Sequence, residues 1–131
     1  MARKSNDESS SGSGEVATNV VRLRGRVSTA AEERELPSGT TIATVRLSVE
    51  RHPTPMTSGS RQRHDWVDCA AWGGRARRTV AGWRAGDVVE VEGALRRRFY
   101  RGGGVTSTRL EVEVLSARTV ARAPVPAPPA G

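Results

Sequence analysis

The aromatic side chains of this sequence are concentrated in a segment that is also rich in arginine. All five aromatic residues lie between Trp66 and Tyr100, and ten of the 20 arginines lie between Arg61 and Arg101. Flat aromatic rings stack on unpaired bases, and guanidinium groups bind phosphates through paired hydrogen bonds. The combination is typical of a module that binds single-stranded nucleic acid with little sequence preference.

Trp66 and Trp72 are predicted to point away from the core. They are six residues apart in a predicted strand, so both point to one face, about 20 Å apart. The opposite face carries Val67, Cys69 and Ala71. Because the apolar face is expected to pack inward, the two tryptophans are expected to face solvent as stacking platforms.

The predicted fourth strand, residues 87–100, carries a second group of candidate binding residues. Arg96, Arg98 and Tyr100 share one face of this strand. Phe99 has the parity of the strand's valines, so it is expected to be buried. Arg101 begins the glycine run that follows, a flexible hairpin connection that could fold over a ligand.

Charge and composition also favour a nucleic-acid partner. The 131 residues carry a formal charge of +7, and 20 of the 21 basic residues are arginine, which suits bidentate phosphate contacts. No apolar run is long enough for a membrane span or a signal peptide, so a soluble, cytoplasmic protein without membrane contact is expected.

The sequence offers no catalytic or metal-binding constellation. His64 and Cys69 are five residues apart in a strand and therefore point to opposite faces. With His52 they do not form a four-ligand zinc set, and no phosphate-binding loop of the Walker type is present. We expect a protein that is not an enzyme and has no cofactor, with Cys69 as a small buried side chain.

A period of two dominates the chain between a polar N-terminus and a Pro/Ala-rich C-terminus. Disordered ends are expected at residues 1–18 and 119–131, flanking one domain at residues 19–118. Strands are predicted at residues 20–27, 40–51, 63–72, 87–100 and 106–115. A short helix follows the third strand and places Trp83 toward the core. This order predicts an all-β fold, the OB-fold, a five-stranded Greek-key barrel.

The sequence resembles the bacterial single-stranded DNA-binding proteins over about residues 19–117. No single motif is specific, but their order and spacing together are. The matching segments are Asn19–Val21, Gly25–Val27, Leu36–Gly39, Ile42–Ser48, Trp66–Gly73, Ala85–Val89, Val91–Leu95 and Leu110–Val114.

The resemblance implies an OB-fold that assembles as a homotetramer, often through dimers, and protects single-stranded DNA in replication, recombination or repair at the nucleoid. It implies base stacking at Trp66, Trp72 and Tyr100. It implies basic DNA contacts at Arg96 and Arg98, and contacts to DNA or to other subunits from the first strand. The first-strand residues are Arg22 and Arg24.

Two departures from the family pattern bear on these expectations. Many members carry another aromatic residue near the end of the second strand, where this sequence has His52 and Pro53. That stacking site is lost or left to His52. Replicative members end in an acidic-hydrophobic tip that recruits other enzymes, whereas this sequence ends in a Pro/Ala-rich segment. We therefore do not expect recruitment through such a tip.

Two other functions are compatible with the residues. An OB-fold RNA binder of the cold-shock type would stack bases on the same rings. A protein–protein adaptor would use its arginines only for solubility. Competition between DNA and RNA distinguishes the RNA binder from a single-stranded DNA binder. The salt dependence of binding distinguishes the protein–protein adaptor from either.

Overall fold

The chain folds into five strands and one helix, in the predicted order. The computed structural model describes residues 16–125. The strands are β1 (Val21–Glu35), β2 (Thr41–Glu50), β3 (His64–Ala71), β4 (Val88–Gly102) and β5 (Val105–Ala121), and helix α1 (Gly74–Ala81) connects β3 to β4.

The strands close into a barrel in the order β1-β2-β3-β5-β4, with β4 paired back to β1. Four of the pairings are antiparallel, and β3 and β5 pair in parallel at Cys69–Val112 and Ala70–Glu113. A closed five-stranded barrel with a helix between the third and fourth strands is the OB-fold architecture. The predicted fold class is confirmed.

The period-two pattern that predicted the strands also builds the core. Each strand contributes buried side chains to one cluster, among them Val27, Leu47, Cys69, Val89 and Val112. Burial raises the pKa of the Cys69 thiol to about 12, with Asp68 and Glu111 adding to the shift. The thiol therefore stays protonated, as expected of a small core side chain.

Helix α1 and the turn after it complete the core. Val80 and Trp83 are buried, and the Trp83 indole N–H donates a hydrogen bond to the Thr119 hydroxyl at 2.8 Å. The predicted burial of Trp83 is confirmed, although the helix ends at Ala81. Among residues 16–125, no helix is long and apolar enough to cross a bilayer.

Strand β1 is longer than predicted. Its pairing with β2 continues to Glu35–Thr41, and a tight turn with Gly39 at φ 91° joins the two strands. Register irregularities between Val27 and Glu32 interrupt the alternation. The period-two signal stops at residue 27 for this reason, and the predicted end there is wrong.

Asp87 anchors the C-terminal part of the described chain. Strand β5 ends at Ala121, past the predicted start of the tail at residue 119, so that boundary is wrong. The buried Asp87 carboxylate accepts hydrogen bonds from the Ala123 amide at 2.8 Å and from Arg122 at 2.9 Å. The segment is ordered by a residue distant in sequence. Residues 1–15 and 126–131 of the predicted disordered ends lie outside the described chain.

Strands β4 and β5 extend past the barrel as a two-stranded ribbon. β4 pairs with β1 only from Val88 to Gly93, whereas its pairing with β5 continues to Gly102. Phe99 lies on this ribbon and is 68% exposed, so its predicted burial is wrong. Its parity is that of the barrel interior, but β1 no longer accompanies β4 at this point.

Candidate nucleic-acid interface

Trp66 is an exposed ring on the outer surface of the barrel. It lies in β3 directly across from Ser48 of β2, and it is 62% exposed. The Arg46 guanidinium carbon lies 4.1 Å from the centre of the Trp66 ring. Arg46 also donates a hydrogen bond to Asp68 at 2.9 Å, which raises the pKa of Arg46. One face of the ring is therefore covered by a cation that a neighbouring carboxylate holds in place.

Trp72 and Tyr100 lie on either side of Arg98. Trp72 directly follows β3 and is 39% exposed. The Arg98 guanidinium carbon lies 5.3 Å from the centre of the Trp72 ring and 5.1 Å from that of Tyr100. Arg109 of β5 lies 5.1 Å from the same tyrosine ring. Two rings and two guanidinium groups from β4, β5 and the residue after β3 thus form one cluster.

The buried carboxylate of Glu111 holds this cluster together. It accepts a hydrogen bond from Arg98 at 2.8 Å and another from the Tyr100 hydroxyl at 2.9 Å. Burial raises the pKa of Tyr100, and the hydrogen bond to Glu111 and the negative charge of Glu111 raise it further. The phenol therefore remains a hydrogen-bond donor at neutral pH.

Two open grooves run along this surface. The larger, about 480 Å³, is lined by Arg34, Arg46, Tyr100 and Arg109 among others. The smaller, about 230 Å³, lies between Trp72 and the β4–β5 ribbon. There Arg96 pairs with Glu113 at 3.0 Å. The grooves place basic side chains along the rings, and carboxylates hold several of these arginines in position.

The predicted site residues do not all lie together. Trp72, Arg96, Arg98 and Tyr100 come together around the smaller groove and the cluster, and Trp66 lies farther along the same face of β3. Arg22 and Arg24 instead lie on β1, where they form ion pairs with Glu92 and Glu90 of the neighbouring strand β4. Arg24 lines a separate groove of about 290 Å³ with Ser48 and His64. The side chain of Arg101 is outside the described part of the chain.

Sequence reasoning missed several residues of this surface, among them Arg46, Arg109 and Glu111. Arg46 has the outward parity of β2, a signal that was available in the alternating pattern. Arg109 and Glu111 alternate with the core residues of β5, so their outward direction was also readable. Their neighbours depend on the β4–β5 register, which pairs Arg98 with Arg109, and no local pattern specifies that register.

Known proteins show the same sequence pattern. The sequence profile described as "Single-strand binding protein family" matches residues 18–120. The chain belongs to this family. It is 33% identical over 98 residues to single-stranded DNA-binding protein A of Bacillus subtilis (strain 168), covering 72% of this chain and 56% of that protein. It is 32% identical over 85 residues to single-stranded DNA-binding protein 3 of Listeria innocua, covering 64% and 51%.

The family member described here spans about half the length of these relatives. Its fold also matches a solved structure described as a Plasmodium falciparum SSB complex with ssDNA. The match has a TM-score of 0.63 at 20% sequence identity and covers 82% of this chain and 97% of the other. At this identity the likeness concerns the fold, which agrees with the closed barrel.

Proposed function

We propose that this protein binds single-stranded DNA with little sequence preference and carries out no catalysis. The observation that carries the proposal is the outer surface that holds the exposed Trp66 and Trp72 and the half-buried Tyr100, each within 5.3 Å of a guanidinium group. Aromatic rings stack on bases of any identity, and guanidinium groups bind the phosphates between them. The names of the relatives and the DNA complex of the structural neighbour agree with this function.

When a DNA strand binds to this surface, it replaces contacts that the arginines make within the free protein. In the free protein, Arg46 covers Trp66 and pairs with Asp68, while Arg98 contacts two rings and pairs with Glu111. A base that stacks on Trp66 takes the place of the Arg46 guanidinium, which can then contact the adjacent phosphate. Until the strand arrives, the arginines cover part of the ring faces on which bases would stack.

The expected energetics follow from the number of rings and arginines. Each stacked base contributes about 1–3 kcal/mol, so each of the three rings alone can change the affinity strongly. Each phosphate contact adds about 0.7 to the slope of log affinity against log salt for a single strand. Arginine-carboxylate pairs that must open before binding reduce the net gain from their arginines.

The test is a fluorescence anisotropy titration of labelled oligo-dT at two salt concentrations, with unlabelled duplex DNA and RNA of equal length as competitors. We expect saturable binding that weakens with salt and that duplex DNA does not compete. Preferential competition by RNA would instead favour a cold-shock-type RNA binder. Absence of binding to every nucleic acid would contradict the proposal and favour a protein–protein adaptor.

The cellular setting is part of the same proposal. Family membership supports a homotetramer, built through dimers, that protects single strands in replication, recombination or repair in the cytoplasm. Sedimentation equilibrium of the full chain measures the assembly directly. A concentration-independent monomer would contradict the tetramer without affecting the proposal that one barrel binds a single strand.

A further inference from the structure

The β4–β5 ribbon has two faces of different chemistry. Its front face carries Arg96, Arg98, Tyr100, Arg109 and Glu111, which belong to the interface described above. Its back face, opposite in register, carries Leu95, Arg97, Phe99, Thr108 and Leu110. On the back face Leu95 is 45%, Phe99 68% and Leu110 52% exposed. An exposed aromatic ring among apolar and basic side chains needs an explanation, because the fold itself does not bury it.

We infer that the back face of the ribbon is a second track for the same single strand, with Phe99 as its stacking ring and Arg97 as its phosphate contact. This inference rests on the proposed function and extends the binding surface around the ribbon. It concerns the path and the length of DNA bound, not whether the protein binds DNA.

Charge distribution favours a polyanion on this face. Both carboxylates of the ribbon, Glu111 and Glu113, lie on the front face, where they pair with Arg98 and Arg96. Arg97 on the back face donates a hydrogen bond to the neutral Thr108 hydroxyl at 3.1 Å. Its positive charge therefore lacks a carboxylate within the ribbon, and a phosphate can pair with it without displacing an acidic side chain.

The open edge of β4 gives the strand a route between the two faces. The backbone of β4 is paired with β1 only as far as Gly93. The Asn19 side chain then donates a hydrogen bond to the Leu95 carbonyl and accepts one from the Leu95 amide. From Arg96 onward β1 no longer pairs with this edge. Phe99 lies between Arg98 and Tyr100 in sequence, so adjacent residues point to opposite faces. A chain leaving Tyr100 can pass this edge and reach Phe99.

The size of the patch argues against a second copy of the protein as its occupant. The described side chains of the back face are few and come from two strands, whereas a stable interface uses about 20–30 residues from each partner. One ring with one arginine instead matches the requirements of one or two nucleotides.

The test compares Phe99→Ala with the unmodified protein on a short oligo-dT of about 6 nucleotides and a long one of about 16, within the range that one OB-fold covers. We expect unchanged affinity for the short strand and a loss of about 5- to 150-fold for the long strand. Phe99→Trp should retain the long-strand affinity, whereas Phe99→Leu should lose it, because stacking requires a ring. Arg97→Gln should lower the salt slope for the long strand by about 0.7.

Leu115→Ala is the matched control, since Leu115 is similarly exposed at 63% but lies outside the back face. It should bind both strands normally. Equal weakening of both strands by Phe99→Ala, or no weakening of either, would overturn the inference. A lower molecular mass of Phe99→Ala in sedimentation would also overturn it, because the face would then be an interface between copies. Failure of the unmodified protein to bind any strand would refute the proposed function itself.

Discussion

Replacing Trp66 with alanine should separate binding from folding. Trp66 is 62% exposed, so less than half of its surface is buried in the free protein. Full burial of a large apolar side chain stabilises a fold by about 1.5–3 kcal/mol, so this substitution should cost about 1 kcal/mol or less. If a base stacks on the ring, the same substitution removes about 1–3 kcal/mol of binding free energy, a loss of about 5- to 150-fold in affinity.

Trp83 provides the opposite case within the same chain. It is 1% exposed and its indole N–H is bonded to the Thr119 hydroxyl. Trp83→Ala should therefore destabilise the fold by about 3–5 kcal/mol, as expected for a large core truncation. Its effect on DNA binding should only follow the fraction of molecules that remain folded.

The assay is urea unfolding followed by circular dichroism, combined with anisotropy titration of labelled oligo-dT for both variants. Trp66→Ala should unfold near the urea midpoint of the unmodified protein and bind far more weakly. If Trp66→Ala instead lowered stability as much as Trp83→Ala, the ring would belong to the core. If its affinity were unchanged, base stacking on Trp66 would be refuted.

Three further predictions follow from individual contacts. The pKa of Tyr100, the only tyrosine, should be above its ordinary value, and Glu111→Gln should lower it, as read from the ultraviolet absorbance of the phenolate; an ordinary pKa in the unmodified protein would refute the contact. Because folding raises the pKa of Tyr100, the stability that its contact with Glu111 gives the fold should be fully present below pH about 10. That stability should be lost as the pH rises through the pKa of Tyr100 in the folded protein. Gly93→Ala should greatly lower the melting temperature, because a Cβ atom there would lie 1.7 Å from a backbone oxygen of β5. Gly73→Ala is the control and should be tolerated, because a Cβ atom at Gly73 meets no atom within 4 Å. Similar melting temperatures of the two variants would refute the close approach at Gly93. At Asp87, burial acts to raise the pKa, but hydrogen bonds from two backbone amides and from an arginine lower it overall. The stability that ionised Asp87 gives the fold should be present above pH about 4 and lost as the pH falls through the lowered pKa of the folded state. Asp87→Asn should cost about 1–3 kcal/mol at neutral pH and should flatten the acid dependence of stability measured by urea unfolding. An unchanged acid dependence would refute this role of Asp87.

The barrel could be predicted because its signals are local. Alternation places Leu47, Cys69 and Val89 inward, and helical spacing identifies Trp83 as a core residue. These patterns depend only on which face of an element is apolar. The same parity argument placed Trp66 on the outside, where the structure has it.

The parts that the sequence did not predict depend on pairing between distant segments. Phe99 has interior parity, but its exposure depends on where β1 stops pairing with β4. The cluster of Arg98, Arg109 and Glu111 depends on the register of β4 with β5. Periodicity gives the direction of a side chain in a strand, but not which strand lies opposite it.

The most direct test of the central claim is a titration of intrinsic tryptophan fluorescence with oligo-dT of increasing length at two salt concentrations. Trp66 and Trp72 should be quenched strongly, with saturation at a defined strand length and weaker binding at higher salt. A double variant, Trp66→Phe with Trp72→Phe, keeps only the buried Trp83 and should lose the quenching. Absence of quenching with the unmodified protein, or quenching that persists in the double variant, would contradict base stacking on these rings.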